Sequence, residues 1–566
     1  MRRIERLPNK RQVLQKLILF PLLSTTFLPQ GPSKTSALLT TLNGNRCSGL
    51  TSEVRTPSLF FSAESGDAMG EATAPPHLDN VPGNADGSDP VGMENNVQQE
   101  IKQLHPKSNV VGNEEKKEGD EAPPAIGTHY IFLVHGWLGN DKEMFYIGKA
   151  LNKSIETLFQ TLPNKPRIVV HSTVDNKGKT TDGIVEGGKR LAREVQTFIE
   201  NDYRSQQNQH QNQNASISFV GNSLGGLYAR YALSIIPSHL HLFLSQSSEA
   251  DGKSIPISLK PNVFCTTATP HLGVASHTYL PLPRVAERII GTTLAQTGRD
   301  LFRLDDSSHS DVDGTAGGSM HRDLIYQMNT NYESFLLPLS RFRKRIAYAN
   351  AFRTDFQVPT NTAAFLSKDS TYPHCLDEDS TKIFESNNTS NSSTKTASNF
   401  FFMTVTTPRN NDVFLPKEEM DGNGRTEVAH KQQLSEEDAI LTMSNKLDAL
   451  GWTKVFVDTR DVIPIPGVAL PSFLRSPSHT LVQDYFDQLQ KGAKSEMICD
   501  DAHVSKIKSK ELWKIMNRTE KLKFPLGHTV MVANSKSDFY SWLNSGGRPI
   551  MDRLASDLIS EMTDFF

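Results

Sequence analysis

The feature that most constrains this chain is an alternation, between Tyr130 and Asn350, of short unbroken apolar runs with segments of helical period. The runs are "YIFLV" (130–134), "RIVVHS" (167–172), "ISFV" (217–220), "PNVFCTT" (261–267) and "RIAYAN" (345–350). Continuous runs of this length suit strands buried on both faces. Between them, "MFYIGKALNKSIETLF" spaces Phe145, Leu151, Ile155 and Phe159 as one side of a helix. "TTDGIVEGGKRLAREVQTFIEN" does the same with Ile184, Leu191, Val195 and Phe198, with Asp182 near its start, and "SLGGLYARYALSII" reads as a third helix. Strands alternating with helices predict an α/β fold: a mostly parallel, doubly wound sheet with helices on both faces. Right-handed crossovers leave few topologies to choose from.

At 566 residues the chain can bury a sizeable core and still carry insertions. Its 60 basic and 63 acidic side chains leave a formal charge of -3, which gives no attraction to nucleic acid. Four scattered cysteines form neither a disulfide framework nor a zinc spacing. The N-terminus pairs the basic "MRRIERLPNKRQVLQK" with the apolar "LILFPLLSTTFL", and a hydroxyl-rich stretch follows. Residues 1–65 therefore read as a signal- or transit-like targeting region, which implies an organelle or the secretory pathway without choosing among plastid, mitochondrion and endoplasmic reticulum. Residues 66–127 are rich in Gly, Pro and charge and read as a disordered acidic linker. The folded domain is expected over 128–566, with polar insertions at about 367–440 and 464–522.

Gly221, Ser223 and Gly225 form G-x-S-x-G between the strand "ISFV" and a helix. The pattern alone arises by chance in roughly one chain in five of this length. Its position between strand and helix is what a nucleophile elbow requires: a strained turn that lifts the serine Oγ clear of the sheet's carboxyl edge. The next amide, Leu224 N–H, opens the helix and suits a developing oxyanion. A second donor is expected from "VHGWLGN" after the first strand, where Gly136 and Gly139 permit the turn and the Trp137 N–H pairs with that of Leu224; a plain glycine turn capped by His135 is the competing reading. Downstream order Ser, acid, His points to Asp355 in "FRTDFQ", with Asp458 and Asp461 as rivals, and to His528 in "FPLGHTV", with His503 as rival.

Six ordered blocks, "VHGWLGN", "TTDGIVEGGKRLAREV", "FVGNSLGGLYARYAL", "TTATPHLGV", "TGRDLF" and "YANAFRTDFQVPTNTA", resemble the eukaryotic lipase-like serine esterases, a branch of the α/β-hydrolases. The resemblance spans about 128–366 and resumes at 450–457 and 526–566. It implies an α/β-hydrolase fold and a Ser-Asp-His acyl hydrolase with Ser223, Asp355 and His528 in those roles. The position before the nucleophile, often histidine in such lipases, is Asn222 here, and the Asp355 to His528 interval is enlarged. His271 in "TPHLGV" reads as a structural loop histidine. The stretch 279–302, with Val285, Ile289 and Leu294, reads either as a lid or as a core-facing helix. The expected function is hydrolysis of lipid acyl esters, with no metal or organic cofactor implied and with a lipid or other acyl ester, and a peripheral membrane contact, as partners. A silent lipid- or protein-binding module and an acyltransferase using the same triad are the competing readings.

Overall fold

The computed structural model describes residues 127–160, 166–205, 214–243, 254–278, 282–304, 323–377, 383–384, 400–414, 435–459, 504–517 and 527–563. The targeting region, nearly all of the linker, Asp461 and His503 lie outside the described residues. Each apolar run of the sequence is a strand: β1 (Thr128–Val134), β2 (Arg167–Ser172), β3 (Asn214–Asn222), β5 (Ser254–Thr267) and β6 (Lys344–Asn350). A short β4 (His239–Phe243) precedes β5 and pairs with its first half in antiparallel fashion. The central order is β2-β1-β3-β5-β6-β10, all parallel, where β10 is Thr453–Val457. The fold is α/β, a mostly parallel sheet covered by helices, with Ser223 at a tight strand-to-helix turn.

The period-2 geometry of β1 divides its side chains between the two faces. Tyr130, Phe132 and Val134 enter one core with α2 (Gly183–Ser205) and α3 (Leu224–Leu233). Ile131 and Leu133 enter the other, against α1 (Phe145–Phe159). Of the four residues expected on the apolar side of α1, Phe145 instead stands 64% exposed, because it is the first residue of the helix and lies at the sheet's carboxyl edge. After β5 the chain forms α4 (Arg284–Thr293) and α5 (Ala295–Leu301). Val285 and Ile289 of α4 are 70% and 61% exposed, so its apolar stripe does not face the core; the residues it buries are Glu287 and Gly291.

The polar segments contribute more regular structure than their composition suggests. β7 (Pro373–Asp377), β9 (Phe400–Thr406) and β11 (Val504–Lys508) prolong the sheet beyond β10 in antiparallel fashion, and β8 (Ile383–Phe384) adds a bridge to β9. They bury Leu376, Phe402, Met403, Val405 and Ile507. Helices α6 (Glu436–Asp448) and α7 (Ser509–Met516) pack beside them, and the chain ends in α8 (Gly527–Met531), α9 (Asp538–Leu543) and α10 (Arg548–Thr563). Among the described residues no helix is long and apolar enough to cross a membrane.

Candidate active site

Ser223 joins β3 directly to α3 with φ 52 and ψ -124, a backbone region that costs a side-chain-bearing residue about 1–3 kcal/mol. Its neighbours make that turn feasible. A Cβ on Gly221 would lie 2.5 Å from Gly226 Cα, and one on Gly225 would lie 2.2 Å from Val134 O. The helix thus descends onto its own strand and onto the end of β1, which no residue with a side chain at 221 or 225 allows. The Ser223 amide donates to Thr267 O at 2.8 Å, tying the elbow to β5. Leu224 provides the first amide of α3, which has no carbonyl one turn earlier to accept it.

The loop leaving β1 packs against this elbow. A Cβ on Gly136 would sit 2.9 Å from Ser223 Cβ, so only glycine admits the contact. Gly136 O accepts from Gly139 N at 3.1 Å and lies 3.0 Å from His135 Nδ1, so His135 caps the turn. Because the peptide is planar and trans, the Trp137 N–H points opposite to that carbonyl, away from the turn. Leu138, 51% exposed and with φ 52, donates its amide to Thr180 Oγ1 at 3.0 Å.

Asp355 follows β6 and is fully buried. Its Oδ1 accepts the amides of Gln357 and Val358 at 2.9 and 2.8 Å; its Oδ2 accepts Asn350 Nδ2 at 2.8 Å and faces His528 Nδ1 at 3.0 Å. His528 is the second residue of α8 rather than part of a loop. Gly527 anchors that helix: its amide donates to Thr354 O at 3.0 Å, and a Cβ there would collide with Thr459 Oγ1 and Asn350 Oδ1. The His528 ring therefore bonds to Asp355 at the exit of β6, while Asp458 lies at the exit of β10. Burial acts to lower the His528 pKa, but the charge and hydrogen bond of Asp355, aided by the charge of Glu143, outweigh it and leave the pKa raised. Among the described residues no hydrogen bond joins the Ser223 hydroxyl to His528, whose Nδ1 is engaged by Asp355.

His271 belongs to the scaffold. It is fully buried between Thr266 Oγ1 at 3.1 Å and Arg230 Nη1 at 3.3 Å, and burial holds its pKa far below the usual histidine range. Two polar residues that sequence reasoning did not assign to the site lie within it. Asn350 orients Asp355, and its signal was the "YAN" that ends β6. Glu143, in a 3-10 turn over Asp141–Met144, accepts Gly136 N–H at 3.0 Å and Asn222 Nδ2 at 2.7 Å. In the sequence it looked like an ordinary acid at a helix start.

The model described as "Putative serine esterase (DUF676)" matches this chain over residues 125–369. That stretch is similar to the serine esterase family. It contains the elbow, the β1 exit loop and Asp355, whereas His528 lies beyond it. Similar curated proteins are "Putative lipase YDL109C" of Saccharomyces cerevisiae, 27% identical over 43% of this chain, and "Putative lipase C4A8.10" of Schizosaccharomyces pombe, 28% identical over 42%. A third, "Putative lipase ROG1" of Saccharomyces cerevisiae, is 27% identical over 44%. The chain spans only 31%, 26% and 30% of the length of these relatives, so the esterase family likeness concerns the shared region. A solved phospholipase, PlaB from Legionella pneumophila in complex with thio-NAD, superposes with a TM-score of 0.17 at 12% identity over 26% of each chain, too little to bear on activity.

Proposed function

We propose that this protein is a serine carboxylic ester hydrolase acting on acyl esters of lipids through Ser223, His528 and Asp355. The observation that carries the reading is the strained serine at the strand-to-helix turn, combined with a buried histidine whose Nδ1 is held by a buried carboxylate. With Nδ1 engaged by Asp355, Nε2 is the ring nitrogen left to take the Ser223 proton as Oγ attacks the acyl carbonyl. The Trp137 and Leu224 amides receive the developing oxyanion. The imidazolium then protonates the leaving alkoxide, giving an acyl-enzyme and a free alcohol. Water repeats the sequence and releases the acid.

The lipid preference rests on the names of the yeast relatives and on exposed apolar side chains in the segments that carry or follow the site residues. Leu138 and Phe145 follow β1, Val285 and Ile289 follow β5, and Phe539 and Trp542 follow His528; all six stand substantially exposed. Exposed apolar side chains of this kind suit peripheral contact with a lipid surface. The reading is tested by Ser223→Ala, which should leave thermal unfolding unchanged and abolish hydrolysis of a short-chain acyl ester. Wild-type turnover by that variant sinks it, and transfer of the acyl group to an added alcohol in preference to water replaces hydrolase by acyltransferase.

A further inference from the structure

We propose that Glu143 is a positioning residue that clamps the oxyanion loop to the nucleophile elbow; the inference rests on the esterase reading above. Glu143 is 3% exposed, and its carboxylate is paired with no Lys or Arg among the described residues. A buried carboxylate without a cation is costly to keep. Its hydrogen bonds show what it holds together. One oxygen, Oε1, accepts both the Gly136 amide, 3.0 Å away in the oxyanion loop, and Asn222 Nδ2, 2.7 Å away in the residue before Ser223.

The chain of bonds continues from there. Asn222 Oδ1 accepts Thr267 Oγ1 at 3.0 Å, and Thr267 O accepts the Ser223 amide at 2.8 Å. The exits of β1, β3 and β5 are thereby joined around one carboxylate. The other oxygen lies under the loop itself, since a Cβ on Gly139 would be 2.3 Å from Oε2. A backbone bond from Ser535 N to Glu143 O, 3.4 Å, brings the segment after His528 to the same turn. The unusual Asn222 is explained by this arrangement: at that position an amide donates to Glu143 and accepts from Thr267 at once.

Glu143 also acts on His528 through its charge. The charged groups that act on the imidazole are Asp355 from the β6 exit and, after it, Glu143 from the β1 exit; His135, Asp141 and Lys142 also follow β1, Arg353 follows β6 and Asp458 follows β10. Clamp and charge are separable, because a glutamine at 143 offers the same amide oxygen to both donors and removes only the charge.

The experiment measures kcat, KM and pH profiles for wild type, Glu143→Gln and Glu143→Ala. Active sites are counted in each preparation by fluorophosphonate labelling. Glu143→Ala should lose on the order of 10²-fold in kcat per labelled site, as for loss of one oxyanion donor, with KM nearly unchanged. Glu143→Gln should keep kcat within about threefold on the alkaline plateau, while its acid limb moves to lower pH. A merely structural glutamate would lower the unfolding temperature and leave turnover per labelled site intact. That result, or a Glu143→Gln acid limb at the wild-type position, overturns the proposal. Should Glu143→Ala not fold, Asn222→Ala cuts the same clamp, and full kcat per labelled site in that variant overturns it as well. Failure of wild type to label at Ser223 defeats the esterase reading itself, a distinct outcome from equal turnover by labelled wild type and variant.

Discussion

At the scale of single residues, the site is built from steric necessities that a sequence can disclose and from polar contacts that it cannot. Gly221, Ser223 and Gly225 were legible because only glycine tolerates helix α3 pressed onto β1 and β3. Gly225→Ala would place a methyl 2.2 Å from Val134 O, so it should reduce ester turnover by at least about 100-fold, checked by steady-state kinetics on the folded fraction. Asp355 could be read from its place after a strand, although the choice against Asp458 needed the 3.0 Å approach of His528. Glu143 was not legible, since one acid at a helix start resembles any other until its partners are known. The raised pKa of His528 sets a pH dependence with a definite sign. The base must be neutral, so kcat/KM should fall as pH drops through a value above that of an ordinary histidine. Asp355→Asn removes the dominant support for the charged imidazole and for its tautomer, and should cost on the order of 10⁴-fold in kcat, the loss seen when a triad acid is made an amide.

At the scale of elements, the strands between 130 and 350 were legible because unbroken apolar runs have few other uses. The helices that cover them depend on close approaches. Gly187 and Gly188 of α2 face Tyr228 and Tyr231 of α3, and a Cβ on Gly187 would be 2.1 Å from Tyr228 Cε1. Alanine in mid-helix is ordinarily favoured over glycine by about 1 kcal/mol, but here the collision with a fully buried ring reverses the sign. Gly187→Ala should therefore destabilise the fold by about 1–3 kcal/mol in urea unfolding. The α4 helix is the reverse case. Its Val285 and Ile289 have core-like spacing yet point outward, while Glu287 turns inward, 1% exposed, to bind Arg284 at 2.9 Å and the Ser276 amide at 2.9 Å. Val285→Asp with Ile289→Asp should lower hydrolysis of a vesicle-borne ester at least about tenfold relative to a soluble one, measured side by side.

At the scale of the whole molecule, the sheet grows past β10 through segments that composition marked as loops, and one buried cluster secures that extension. Lys454 of β10 lies 2.6 Å from Asp448 of α6 and 2.9 Å from His374 of β7, all fully buried. Burial pushes the Asp448 carboxyl up and the Lys454 ammonium down, so each depends on the other to remain charged. Lys454→Met should cost about 3–5 kcal/mol in urea unfolding by stranding Asp448, and Lys454→Met with Asp448→Asn should recover much of it. The strands β7, β9 and β11 escaped the sequence because their partners lie far away in the chain and their flanks are polar; long-range pairing, not local pattern, makes them strands. The same distance separates His528 from the rest of the site, and the fold closes it through Gly527 and Thr354. The central claim, that these exits assemble around a nucleophilic serine, is tested most directly by treating the protein with a fluorophosphonate ester and mapping the adduct by peptide mass spectrometry. One adduct is expected, on Ser223, formed more slowly as pH falls; an adduct on another residue, or an unmodified Ser223 after prolonged treatment of folded protein, would show that this serine is not the nucleophile.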